Sequence, residues 1–261
     1  MYKFYRLPER RDRDKACIRK VQDCYSNNIS DFMFSKENAL IERTIYKILL
    51  GVGDRDPVMI LGDTGSGKTH LACCLEKESL YREKNFLRVS CEQFVDNMME
   101  RIKYNNRAEK MYCLYPGIDC IIIDEVEEII SKVSTQTEMA NAVVRLSAMD
   151  KQVILMGGGL IGEYAEFCKE LERKHQSVKL YRLYTLAVSE KAVYTKEIAE
   201  KSGLLLSKKA LRQLSNTENM GALVGLLNSL LAFTASERRN GEVPVNLDKM
   251  KEVFGERLFE E

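Results

Sequence analysis

Residues 62–69 read Gly-Asp-Thr-Gly-Ser-Gly-Lys-Thr and follow directly on the apolar run Val58-Met59-Ile60-Leu61. Gly62, Gly67, Lys68 and Thr69 satisfy the pattern Gly-x-x-x-x-Gly-Lys-[Ser/Thr]. The context is the one this pattern requires, a buried strand before the loop and a helix, predicted over 68–79, after it. The residue types follow from the needs of a polyphosphate. Glycines at 62, 65 and 67 let the backbone wrap an anion with its N–H groups turned inward. The helix N-terminus adds positive partial charge. Lys68 reaches the β- and γ-phosphates, and the Thr69 hydroxyl ligates Mg²⁺. The expected binding set is Gly62, Asp63, Thr64, Gly65, Ser66, Gly67, Lys68 and Thr69, with ATP or ADP and Mg²⁺ as ligands. The competing reading is a glycine-rich turn with a chance lysine.

Such a site needs a second buried strand that ends in an acid. Cys120-Ile121-Ile122-Ile123-Asp124-Glu125 supplies it. Asp124 is expected to hold Mg²⁺ through a water, and Glu125 to orient the attacking water as a general base. The alternative is a strand that ends in charged turn residues, since Glu127 and Glu128 make the stretch acidic in any case.

Around these two segments the elements alternate. Strands are predicted over 58–61, 86–89, 118–123, 153–156 and 180–186. Helices are predicted over 92–104, 107–113, 135–148 and 161–174, with another starting near Ser35, which is placed to cap it. Alternation of this kind implies a parallel sheet covered on both faces. After about Val188 the strand signals stop, and helices are predicted over 189–201, 207–215, 220–235 and 246–253. The expected fold class is α/β, a P-loop core with a parallel five-stranded sheet followed by a small all-α lid domain. Residues 1–30 read as an N-terminal arm, 31–187 as the core and 188–261 as the helical lid.

Composition narrows the function classes. Of 261 residues, 45% are hydrophobic, too many for a disordered chain, and the formal net charge of +1 gives no global pull toward nucleic acid or membrane. Any contact with nucleic acid must come from a local patch. The first residues are charged, with no apolar run for a signal peptide, and no stretch is long and apolar enough to span a bilayer. The expected location is the cytoplasm. The eight cysteines form no Cys-x-x-Cys pair, and only two histidines accompany them. They read as reduced, buried thiols rather than zinc ligands or a disulfide framework.

The phosphate loop continues as Gly-Lys-Thr-His-Leu, residues 67–71, which resembles the AAA+ ATPases of the bacterial replication initiator DnaA and its helicase-loader relatives. Phe32-Met33-Phe34-Ser35-Lys36-Glu37-Asn38 resembles the stretch ahead of that family's core, which lies near the adenine. The stretch from Glu92-Gln93-Phe94-Val95 to Ile118-Asp119 and the stretch Asn219–Asn228 resemble further family segments, the latter a lid helix. The resemblance covers about residues 31–253. It implies that Asn38 and His70 join the nucleotide site. It also implies an arginine finger acting across a subunit boundary, for which Arg173 lies near the right place, although the residues themselves favour a solvated helix-end charge there. A helical insert between the second strand and the acid-bearing strand grips single-stranded DNA in the family. Here that region carries Arg101, Lys103, Arg107 and Lys110 with Tyr104 among them, suited to phosphates and base stacking or to an ordinary solvated helix face.

Three departures from the family pattern stand out. Gly157-Gly158-Gly159 occupies the place of its polar first sensor. Gly221 falls where its lid arginine would be. The sequence ends at Glu261, where its duplex-reading helix-turn-helix domain would begin. The resemblance therefore implies a DnaA-like ATPase domain without that C-terminal module. One reading is a slow ATPase that self-associates on ATP and acts in replication initiation, helicase loading or their regulation. A second is a non-hydrolysing, nucleotide-dependent module that contacts a replication protein. A small-substrate P-loop kinase is disfavoured, because residues 189–255 read as a helical lid that such kinases do not need.

Overall fold

In the computed structural model, residues 29, 32–105, 115, 117–238 and 241–255 are described. Five strands form one sheet: β1 (Val58–Gly62), β2 (Phe86–Ser90), β3 (Cys120–Asp124), β4 (Gln152–Gly157) and β5 (Lys179–Leu183). Their order is β2-β3-β4-β1-β5, and every pairing is parallel. β1, β3 and β4 are buried along their whole length. Continuous apolar runs, rather than alternating ones, are what a sheet covered on both faces demands. On one face Met59, Leu61, Ile121, Ile123, Val153 and Leu155 join a single core with helices α3 (Cys91–Asn105), α4 (Val133–Ala148) and α5 (Ala165–Arg173). Their strand neighbours Val58, Ile60, Ile122, Ile154 and Met156 point the other way and are buried too. Helices α1 (Ala39–Leu50) and α2 (Lys68–Tyr81) complete this part of the chain.

The strand order positions the site. β1 lies between β4 and β5, although β2 follows it in sequence. In open parallel sheets, ligands bind beyond the carboxyl ends of the strands at such a switch point. The register sets Leu61 beside Gly157 and Gly62 beside Leu183, so the phosphate-loop glycine emerges next to the end of β4.

One buried polar side chain ties the helices of this layer together. Gln136, in α4, donates from Nε2 to the carbonyls of Ile129 (3.2 Å) and Ile130 (2.8 Å). Its Oε1 accepts the Phe167 N–H at 2.9 Å.

The described chain divides into two units. The first takes residues up to Phe32, then Asn38–Asp63 and Lys68–Leu183; the second takes Met33–Glu37, Thr64–Gly67 and everything from Tyr184. The second unit contains α6 (Val188–Lys201), α7 (Lys208–Ser215), α8 (Met220–Phe233), the short α9 (Ala235–Arg238) and α10 (Leu247–Phe254). Ser207, Asn219 and Asn246 cap α7, α8 and α10 by accepting backbone N–H groups from Ala210, Ala222 and Lys249.

This unit corrects the expectation of an all-α lid. β6 (Leu204–Leu206) and β7 (Val243–Val245) pair in parallel. Three residues are too few to show a strand period, and Pro244 at the centre of β7 argues locally against a strand. Elsewhere the differences are at boundaries. The expected strand 118–123 lies at 120–124, and the expected strand 180–186 ends at Leu183. A 3-10 helix, Ile161–Tyr164, precedes α5 where one helix was expected. Ser35 does not cap a helix: its hydroxyl is buried without a hydrogen-bond partner, and a 3-10 turn, Lys36–Asn38, leads into α1. The arm over 1–30, apart from Ile29, and the helix expected over 107–113 lie outside the described residues. No helix among the described residues is long and apolar enough to cross a membrane.

Cys73, Cys74, Cys91 and Cys120 are buried and outside any disulfide, and Cys168, also outside one, is partly buried. Burial pushes the Cys91 thiol up to about 12 and raises that of Cys120 as well. The thiolate is the reactive form. Brief alkylation of the native protein followed by peptide mapping is therefore expected to return these four cysteines unmodified, and denaturation before alkylation to label all four.

Candidate functional site

The loop after β1 has the backbone its glycines permit. Gly65 (φ 78°) and Gly67 (φ 100°) lie in the region that residues with a Cβ rarely adopt. The Lys68 ammonium donates to the carbonyls of Gly62 (2.7 Å) and Asp63 (3.0 Å). Burial lowers its pKa below the ordinary lysine value, and the carboxylates of Glu127, Asp124 and Asp63 oppose that shift. Ser66 presents a buried hydroxyl that has no hydrogen-bond partner. Thr69 is exposed in the first turn of α2, a 14-residue helix. An orphaned hydroxyl, two left-handed glycines, a helix N-terminus and an ammonium in one loop suit a polyphosphate.

Within the second unit the loop is closely packed. Met220 N–H donates to the Gly65 carbonyl at 3.1 Å. A Cβ on Gly65 would lie 2.5 Å from Asn219 Oδ1, so a side chain at 65 is barred by contact as well as by backbone conformation. A Cβ on Gly221 would meet Asn219 Oδ1 at 3.2 Å and Gly65 Cα at 3.8 Å. Buried Lys191 donates to the carbonyls of Thr217 and Glu218, which fixes the turn that leads to Asn219.

Asp124 ends β3 and is buried, with Oδ1 accepting the Glu125 N–H at 3.1 Å. Arg88, on the adjacent strand β2, places Nη1 3.8 Å from Asp124 Oδ2 and Nε 3.7 Å from Glu76 of α2. An arginine inside a short strand is the sequence signal for this link. Glu125 is exposed and adopts a left-handed backbone, φ 64°. Among the described residues no three His, Cys, Asp or Glu cluster to hold a metal unaided. The donors Thr69 and Asp124 suit a Mg²⁺ that keeps several waters and takes its remaining ligands from phosphates.

The flanking expectations fare differently. Asn38 is buried at the start of α1. His70 lies against Phe32, with ring centroids 5.4 Å apart. Arg173 ends α5, exposed and paired with Glu170 one turn away. Arg101 and Lys103 fall in the last turns of α3, where only the backbone is described, and Arg107 and Lys110 lie outside the described residues. Glu127, Tyr164 and Gln136 were not predicted as functional; their connections run between elements distant in sequence and leave no local pattern.

Residues 26–176, more than half of the chain, match the family model described as the bacterial DnaA ATPase domain. The chain belongs to this DnaA ATPase-domain family. The DnaA initiator of Flavobacterium psychrophilum is 38% identical over 102 residues, covering 38% of this chain and 21% of that protein. Domain III of the Thermotoga maritima DnaA superposes with a TM-score of 0.73 at 18% identity, over 90% of this chain and 98% of that one. A DnaA solved with AMPPCP and single-stranded DNA gives 0.67 at 21% identity, over 82% and 68%. At these identities the likeness to solved structures is one of fold. The chain spans about half or less of the length of the curated DnaA relatives it matches, from 21% to 51%.

Proposed function

We propose that this DnaA-type domain binds ATP and ADP with Mg²⁺ through Gly62–Thr69, turns ATP over slowly, and uses its nucleotide state to control contacts in replication initiation, helicase loading or their regulation. The observation that carries the reading is the loop itself. Left-handed Gly65 and Gly67, the orphaned Ser66 hydroxyl, Lys68 and the α2 N-terminus follow β1 at the switch point of the sheet. Lys68 would neutralise the β- and γ-phosphates, Thr69 and Asp124 would hold Mg²⁺, and Asn38 and His70 would lie toward the base. The cation would screen the phosphate charge, and Glu125 would orient the attacking water. Arg173 would complete a neighbouring subunit's site in a nucleotide-dependent assembly. The division into a core over 31–187 and a lid over 188–261, and a cytoplasmic location, belong to the same reading.

Single-stranded DNA is the proposed nucleic-acid partner, through Arg101, Lys103, Arg107 and Lys110. The support is the family and a structural neighbour solved with AMPPCP and single-stranded DNA. The second reading, a module that binds nucleotide without hydrolysing it and contacts a replication protein, is favoured by Gly157 and Gly221, which offer no polar side chain to a γ-phosphate.

Fluorescence anisotropy of a labelled single strand, with ATP, ADP or no nucleotide, tests the proposal. ATP-dependent binding that Lys68→Ala removes is the expected result. Nucleotide binding without any DNA binding would leave only the interaction module. Turnover separates the two further, because equal rates for wild type and Glu125→Gln would exclude Glu125 as a base.

A further inference from the structure

Glu127 has no part in the scheme above, yet its carboxylate is held beside the phosphate loop. Oε2 accepts the Gly158 N–H at 2.9 Å. The end of β4 is shaped around this group: a Cβ on Gly157 would come within 2.5 Å of Val126 Cγ2, 2.8 Å of Glu127 Oε2 and 3.0 Å of the Tyr164 hydroxyl. Tyr164 in turn donates to the Gly158 carbonyl at 2.7 Å, which pins the same residue through its other backbone group. A Cβ on Gly158 would lie 3.7 Å from Glu127 Oε1 and 4.0 Å from the Gly62 carbonyl oxygen. That oxygen is the one that accepts the Lys68 ammonium at 2.7 Å. Glu127 is exposed. It is also the strongest of the charges acting on Lys68, ahead of Asp124 and Asp63.

A carboxylate accepts hydrogen bonds and donates none. The terminal oxygens of a nucleoside triphosphate are acceptors as well, so Glu127 can offer the γ-phosphate no bond and adds like-charge repulsion. A purely structural role would be indifferent to that charge, since a glutamine oxygen accepts the Gly158 N–H equally well.

We propose that Glu127 sets the nucleotide preference of this site by weakening the binding of triphosphate relative to diphosphate, which biases the domain toward its ADP-bound form. This rests on the reading of Gly62–Thr69 as a nucleotide site. Removing one unit charge that repels the γ-phosphate, with partial screening, would correspond to about tenfold in affinity.

The test is a titration of the full chain with Mg·ATP and with Mg·ADP by isothermal calorimetry, for wild type, Glu127→Gln and Glu127→Ala. In both variants the ratio of the ATP Kd to the ADP Kd is expected to fall by about tenfold. The melting temperature of Glu127→Gln is expected to stay at the wild-type value. Two charge-free variants of different shape keep the test sound if one of them folds poorly. A ratio within twofold of wild type in a variant that still binds both nucleotides would overturn the proposal and leave Glu127 a structural acceptor. If wild type binds neither nucleotide, the parent reading fails and this inference falls with it.

Discussion

Lys68→Ala is expected to remove nucleotide binding while leaving the fold in place. The ammonium is half-buried at the N-terminus of α2, where desolvation already disfavours its charge and three carboxylates sustain it. A polyphosphate in the loop would take over that sustaining role. Removing one member of a desolvated, hydrogen-bonded charge pair costs about 2–5 kcal/mol, which is roughly thirtyfold to several thousandfold in affinity. The cost to the fold is smaller. The alanine releases the carbonyls of Gly62 and Asp63, and the Asp63 contact is exposed, so water can replace it. Calorimetric titration with Mg·ATP measures the first effect, and far-UV circular dichroism with a thermal melt checks the second. Unchanged affinity would place the phosphates elsewhere.

Gln136→Leu is expected to be the most destabilising single change among the polar residues discussed. The side chain is buried and makes three hydrogen bonds to backbone, two as donor and one as acceptor. Leucine matches its size but leaves the carbonyls of Ile129 and Ile130 and the Phe167 N–H to find other partners. A buried polar group left unsatisfied costs about 1–3 kcal/mol, and partial relaxation brings the sum for the three to roughly 2–5 kcal/mol. Urea denaturation measures the loss. A change below about 1 kcal/mol would mean that the helices reorganise or admit water at this point. Glutamate at the same position is expected to be worse than leucine, because it would bury a charge facing two carbonyl oxygens.

These two residues mark how far the sequence alone could be read. Lys68 was legible because its role is local: strand, glycines, lysine and helix follow one another within a dozen residues, and each residue type has a reason. β1, β3 and β4 were legible because burial on both faces leaves an unbroken apolar run. Asp124 and Glu125 followed from the end of one such run. Gln136 was not legible, since nothing in Val133–Ala148 distinguishes a hub from a solvated amide until α5 and the turn before α4 are in place. Glu127 was hidden in the same way. Read along the chain it is one of several acids after β3, and only the pairing of β3 with β4 brings Gly157 and Gly158 under it. The pair β6 and β7 escaped because short ladders are set by their partners rather than by a period. The edge strand β5 was recognised but misplaced at its end, as its partial exposure blurs the apolar run.

The central claim is that the loop Gly62–Thr69 reads phosphates. The most direct measurement is a calorimetric comparison of ATP, ADP, AMP and adenosine on the wild-type chain with Mg²⁺. One molecule of ATP or ADP bound per chain is predicted, with AMP and adenosine weaker by about a hundredfold or more, because the loop's contacts to the β-phosphate are lost. Equal affinity for AMP and ATP, or no binding of any of the four, would contradict the account.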